Sequence, residues 1–147
     1  MCALTSARNE LHGVIRALQH GAVNDEVLVA LNDKDTLKAT VTCESSAALG
    51  LKPGRAVIAV IQASQLLLTS APAPAVSAGN CLCGFVVARR DGAVSSEIEV
   101  ELSGGGRLVA MVSEGAAGEM AIACGYEVCV LFAASSVLLA LSDDAAT

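Results

Sequence analysis

Tryptophan is absent from this chain, and one tyrosine and two phenylalanines are all its aromatic content. Its charge is short of one sign: nine Lys and Arg stand against fifteen Asp and Glu, for a formal net charge of −6. Binding of single-stranded nucleic acid wants a basic groove and stacking aromatics, so no nucleic-acid partner is expected. No apolar run approaches the roughly 20 residues of a membrane helix, and "MCALTSARNELHG" has no basic stretch leading into an apolar one. No membrane partner and a cytoplasmic location are the corresponding expectations. Metal-ligand spacing is also lacking. The six cysteines (Cys2, Cys43, Cys81, Cys83, Cys124, Cys129) contain one close pair, Cys81-Leu82-Cys83, and no histidine follows it. Six reduced thiols packed as small apolar groups, with no metal site, are expected. Neither a nucleophile–base pair nor a metal cluster emerges, so no catalytic residues are assigned and the chain is not read as an enzyme.

What is present is apolar and repetitive. Hydrophobic residues make up 54 % of the 147 positions, too many for disorder. With aromatics scarce, the core must be built from Val, Leu, Ile and Ala. Sliding the sequence by 71 places aligns Thr5–Ala71 with Val76–Ser142 without a gap, and 21 of the 67 pairs are identical. The matches include Ser6/Ser77, Asn9/Asn80, Gly13/Gly84, Gly54/Gly125 and Ala63-Ser64/Ala134-Ser135. Two copies of one module, residues 5–71 and 76–142, follow. Pro72 and Pro74 stiffen the linker, residues 72–75, between them.

Each copy reads as short strands. In "EIEVEL", Ile98, Val100 and Leu102 alternate with glutamates, placing one face in a core and one in water. The offset assigns Val27, Val29 and Leu31 to the first core. Their outward neighbours Leu28 and Ala30 are apolar where the second copy has Glu99 and Glu101. Turn residues separate further strands at "LHGVIRALQ", "TLKATVT", "RAVIAVIQA" and "LLLT". "TCESSAALG" reads as one helical turn, capped by Thr42 and stopped by Gly50. The fold class is therefore all-β: two tandem five-stranded, OB-like barrels, each with one short helix. Modules this small are marginal alone, so association with further copies is expected.

"SARNxLxGxV", "GAVNxEV", "LGLxxGxxV" and a late "AS" resemble the molybdate-binding Mop (TOBE-type) domain, and the tandem arrangement resembles the di-Mop molbindins. The likeness covers nearly the whole chain. It implies binding of molybdate or tungstate, with no organic cofactor, at domain interfaces of a homotrimer, for storage or homeostasis. The residues it implies are Ser6, Arg8, Asn9, Thr42, Ser45, Gln62 and Ala63, with Ser77, Ser113 and Ala134 in the second copy. The chemistry suits these types. A tetrahedral dianion only accepts hydrogen bonds, and hydroxyls, backbone N–H groups and a guanidinium donate them. No helix-turn-helix or P-loop is seen, so neither a regulator nor a transporter ATPase is read here.

The pattern is also departed from. Gln62 stands where the family usually has lysine. Arg8 becomes Gly79, Ser45 becomes Ala116, and the second half carries the whole net charge: residues 1–71 hold six basic and six acidic residues, residues 72–147 three and nine. The alternative reading is a structural or partner-binding Mop scaffold with degenerate oxyanion sites.

Overall fold

The computed structural model describes residues 9–32, 34–70 and 79–142. The first copy forms β1 (Asn9–Gln19), β2 (Asn24–Ala30), β3 (Thr36–Thr42), α1 (Cys43–Leu49), β4 (Ala56–Ile61), a 3₁₀ turn (Ala63–Gln65) and β5 (Leu67–Ser70). The second repeats the order: β6 (Asn80–Asp91), β7 (Ser95–Leu102), β8 (Arg107–Ser113), α2 (Glu114–Glu119), β9 (Glu127–Phe132), a 3₁₀ turn (Ala134–Ser136) and β10 (Leu138–Leu141).

The period-two alternation does what it implies. Val27, Val29, Ile98 and Val100 are fully buried, and Leu31 packs against the same core. That core is one cluster shared by both halves, built of Val, Leu, Ile and Ala with Phe132 as its one aromatic. Gly13 and Gly84 keep their identity between copies for a steric reason. A side-chain carbon at 13 would lie 2.7 Å from the Ala30 carbonyl oxygen, and one at 84 would meet the Glu101 carbonyl.

Strand order departs from two self-contained modules. The first sheet runs β10-β4-β1-β2-β3 and the second β5-β9-β6-β7-β8, so each takes one edge strand from the other copy. Leu67 pairs with Leu131, and Leu138 with Val60, both antiparallel. The repeat makes this exchange possible: Leu67-Leu68 and Leu138-Leu139 are the same dipeptide, so either sheet accepts either strand. Crossing over then locks the halves together around their common core. Each sheet curls until its edges approach, β10 against β3 and β5 against β8.

Two asparagines complete the junction. Asn80 accepts a hydrogen bond from Lys38 N (2.6 Å) and donates to Lys38 O (2.9 Å). Asn9 accepts from Val109 N (2.7 Å) and donates to Val109 O (2.9 Å) and Ile61 O (3.2 Å). Each side chain thus acts as an extra backbone unit against the free edge of the other half's strand, β3 or β8. Such edges otherwise leave unpaired donors and acceptors. The 3₁₀ turns meet too, through Ser136 Oγ donating to Gln65 Oε1 at 3.3 Å.

Candidate functional site

Ser6, Arg8 and Ser77 lie outside the described residues. The other expected residues fall into three groups. The first is the start of α1. Thr42 caps the helix, its Oγ1 accepting from Ser45 N at 3.0 Å and donating to Ser45 Oγ at 2.9 Å. Ser45 therefore receives the threonine proton and keeps its own to donate outward. Both residues are exposed. Gly50 ends the helix in the left-handed conformation, φ 64°, as glycine there allows. In the second half Ser113 caps α2 by accepting from Ala116 N at 3.1 Å, but position 116 offers no hydroxyl.

The second group is the 3₁₀ turns. Gln62 is exposed and precedes the first; Ala63 opens it and is buried. Ala133 and Ala134 take these places in the second. Gly79 runs so close to Ala134 that an added side-chain carbon would lie 3.2 Å from its backbone nitrogen. A bare backbone at 79 suits this approach. The turns pack across the junction, the first against β8 and the second against β3. The third group is Asn9, buried, with its amide oxygen and nitrogen committed to backbone. It stands at the head of β1, directly after Arg8 in sequence. Sequence reasoning grouped it with the donors because it sits inside "SARN".

A buried carboxylate beneath α1 escaped the sequence reading. Asp25 is 1 % exposed. It accepts from Cys43 Sγ (3.1 Å) and Gly21 N (3.4 Å), and His20 Nδ1 lies 3.1 Å away. The Cys43 hydrogen bond holds its carboxyl below the usual aspartate range, helped by Ser46, His20 and Gly21 and opposed by burial. The same bond pushes the Cys43 thiol up. At the equivalent place in the second half stands Ser96, whose single hydroxyl proton lies between Asp91, 2.8 Å away, and Glu114. Arg89 joins both carboxylates, 2.7 Å from Asp91 and 3.6 Å from Glu114. It donates to Ile122 O as well (2.8 Å). On the outer face of the same half, Glu99 and Glu101 pair with Arg107 at 3.6 and 3.3 Å. Much of the second half's acidity is therefore internally matched.

A cleft of about 450 Å³ lies elsewhere, lined by Glu10, His12, Asn32 and Arg107 among others. None of the described candidate residues lines it.

The cysteine expectation needs correcting. Cys83 and Cys129 form a disulfide, while Cys43, Cys81 and Cys124 are free. The bridge joins residues 46 apart in sequence that the β6–β9 register sets side by side, so no spacing along the chain announces it. Cys81 and Cys83, two residues apart on β6, share a strand face: their sulfurs are 3.9 Å apart.

Two five-stranded curled sheets, each with a capped short helix and a 3₁₀ turn before the exchanged strand, define a tandem small-barrel protein. The chain belongs to the TOBE-domain family, whose model matches residues 5–68 and again 76–139. It is similar in fold and sequence to the cytoplasmic molybdate-binding protein ModG solved with molybdate bound. That match has 38 % identity and a TM-score of 0.90, covering 95 % of this chain and 100 % of that one. The molybdenum-pterin-binding protein MopA of Rhodobacter capsulatus is 39 % identical over 93 % of this chain. The DNA-binding transcriptional dual regulator ModE of Escherichia coli (strain K12) is 36 % identical over 92 % of it. The chain spans about half the length of these curated relatives, 52 % of each.

Proposed function

We propose that this protein binds molybdate or tungstate as intact oxyanions, without transforming them, for storage or homeostasis in the cytoplasm. The observation that carries this reading is the likeness along the whole chain to ModG, a protein solved with molybdate bound. The donor set supports it. Ser6 and Arg8 stand next in sequence to Asn9, which is anchored on β8. Ser45 has a hydroxyl proton to give, and the turn at Ala63 brings a small residue that lets backbone N–H groups approach a ligand.

The sites are completed by association of three chains. Leu67 and Leu138 on the exchanged edge strands are 64 % and 65 % exposed, and Phe85 is 50 % exposed. Apolar surface of this kind favours a partner surface, and self-association supplies one. The first half contributes the charged and hydroxyl donors. The second, with Gly79 for Arg8 and Ala116 for Ser45, contributes mainly backbone. Gln62 and Gly79 favour the second reading, a scaffold whose oxyanion sites have decayed.

Isothermal titration of size-checked protein with molybdate and tungstate separates the readings, with native mass spectrometry reporting assembly and ligand number together. Saturable binding by a trimer supports the first. A trimer that takes up neither anion supports the scaffold, and a 14.8 kDa monomer that binds them overturns the interface sites.

A further inference from the structure

On the outer face of the second sheet, β6 and β9 bring Cys81, Cys83 and Cys129 together, their sulfurs all within 4.8 Å of one another. Cys81 is exposed, Cys83 half-buried, and Cys129 1 % exposed. The equivalent positions of the first half are Glu10, His12 and Ile58, so the cluster belongs to one half alone and the oxyanion reading does not use it. We propose that, once the Cys83–Cys129 bridge is reduced, these three thiolates form a binding site for one soft monovalent metal ion of the Cu(I) class.

Ligand type and ligand number point to that ion. Thiolates select Cu(I) and zinc over harder cations. Structural zinc is almost always four-coordinate, and the group contains three sulfurs with no fourth His, Asp or Glu among the described residues. Three sulfurs suffice for a trigonal Cu(I) centre. Metal–sulfur bonds of about 2.3 Å at trigonal angles set the sulfurs about 4 Å apart, and Cys81 and Cys83 already stand at 3.9 Å. Two hydrogen-bonded antiparallel strands carry all three ligands, so little ordering remains to be done on binding. The exposed Cys81 sulfur is the way in.

The bridged protein is the closed form. A dithiol reductant opens it: the reductant's two sulfurs become a disulfide, while Cys83 and Cys129 take up the two electrons and two protons as thiols. Each of the three thiols then releases its proton to solvent as it ligates the ion.

The test uses the full chain carrying Cys2→Ser, Cys43→Ser and Cys124→Ser, reduced with dithiothreitol and desalted without air. Cu(I) is titrated in competition with a chromophoric copper(I) chelator, and thiolate-to-copper absorption is followed in the near ultraviolet. One ion per chain is expected. Loss of an outer-shell partner already costs about 10–100-fold in metal affinity, so Cys81→Ser, which removes a ligand, should cost at least as much. The bridged form should bind more weakly still. Cys129→Val keeps an apolar group at the buried position and, removing one of the three sulfurs, should weaken binding at least as much. If Cys129→Val fails to fold, the exposed Cys81→Ser and the bridged form carry the test. Equal binding by bridged and reduced protein, indifference to Cys81→Ser, or tighter uptake of Zn(II) than of Cu(I) would overturn the assignment.

Discussion

Beneath α1 a buried aspartate collects a thiol, a backbone amide and a histidine; beneath α2 the same position is Ser96, and the carboxylates have moved outward to Asp91 and Glu114, held by Arg89. The 71-residue repeat aligns these two places, and positions 20/91, 25/96 and 43/114 bond to one another in both, but the carboxylate sits at the centre of the first network and at the ends of the second. Elsewhere the halves agree: Asn9 and Asn80 clamp opposite strand edges, and Thr42 and Ser113 cap their helices. Backbone satisfaction tolerates little variation, because a buried unpaired amide is costly wherever it occurs. Side-chain charge can be redistributed as long as each half is internally paired.

The clamps test this division most severely. Asn9→Ala leaves a backbone N–H and C=O on β8 without their partner, and Asn80→Ala does the same on β3. At about 1–3 kcal/mol per stranded group, each should lose about 2–6 kcal/mol in urea unfolding. Asn9→Ala should be the worse, since it also drops the bond to Ile61 O. Losses below about 0.5 kcal/mol, the floor for one net hydrogen bond, would show that the edges find other partners.

Ligand donors come next. Arg8→Ala should weaken molybdate binding by about 1.5–3 kcal/mol, the range of a charge-assisted bond, and Ser77→Ala by about 0.5–1.5 kcal/mol. Isothermal titration on size-checked assemblies measures both. A larger loss at Ser77 would move the ligand wall to the second half.

The helix ends differ by less. Gly50 and Ala121 are equivalent, and both are left-handed, at φ 64° and 52°. Alanine there costs about 1–2 kcal/mol, part of which glycine forfeits in unfolded-chain entropy. Gly50→Ala should therefore destabilise and Ala121→Gly stabilise, each by about 0.5–1 kcal/mol. Melting temperatures that shift in the same direction would show that the two ends are not equivalent.

Acid titration gives the finest comparison. The folded-state pKa of Asp25 is lowered, chiefly by Cys43, and that of Asp91 chiefly by Arg89. Both therefore contribute stability that is present above the unfolded aspartate range and lost as pH falls through the lower, folded one. Asp25→Asn should flatten the acid limb of the stability curve. Asp91→Asn should do so less, because Asp91 is about half exposed and water screens its pair. Equal flattening would mean that burial of Asp25 adds nothing to the coupling.

Much of the fold was legible because it is local. Alternation in "EIEVEL", the Thr42 cap and the Gly50 stop depend on neighbours within a few residues, and the structure has each of them. The clamp made by Asn9 was not legible, because its partner lies 100 residues away on β8. The buried Asp25 looked like any strand-end aspartate until β2 and α1 were folded onto each other.

By itself the sequence determined the repeat, the all-β character, the aliphatic core and the caps, since each follows from periodicity or from a residue's own conformational preference. Only the tertiary structure decided which copy each final strand joins. The repeats offer identical Leu-Leu edges, so local sequence cannot tell the exchanged pairing from the unexchanged one. The shared core and the paired asparagines make that choice. The same folding set Cys83 against Cys129 and brought Cys81 beside them, because register between β6 and β9 is a property of the sheet and not of either strand alone.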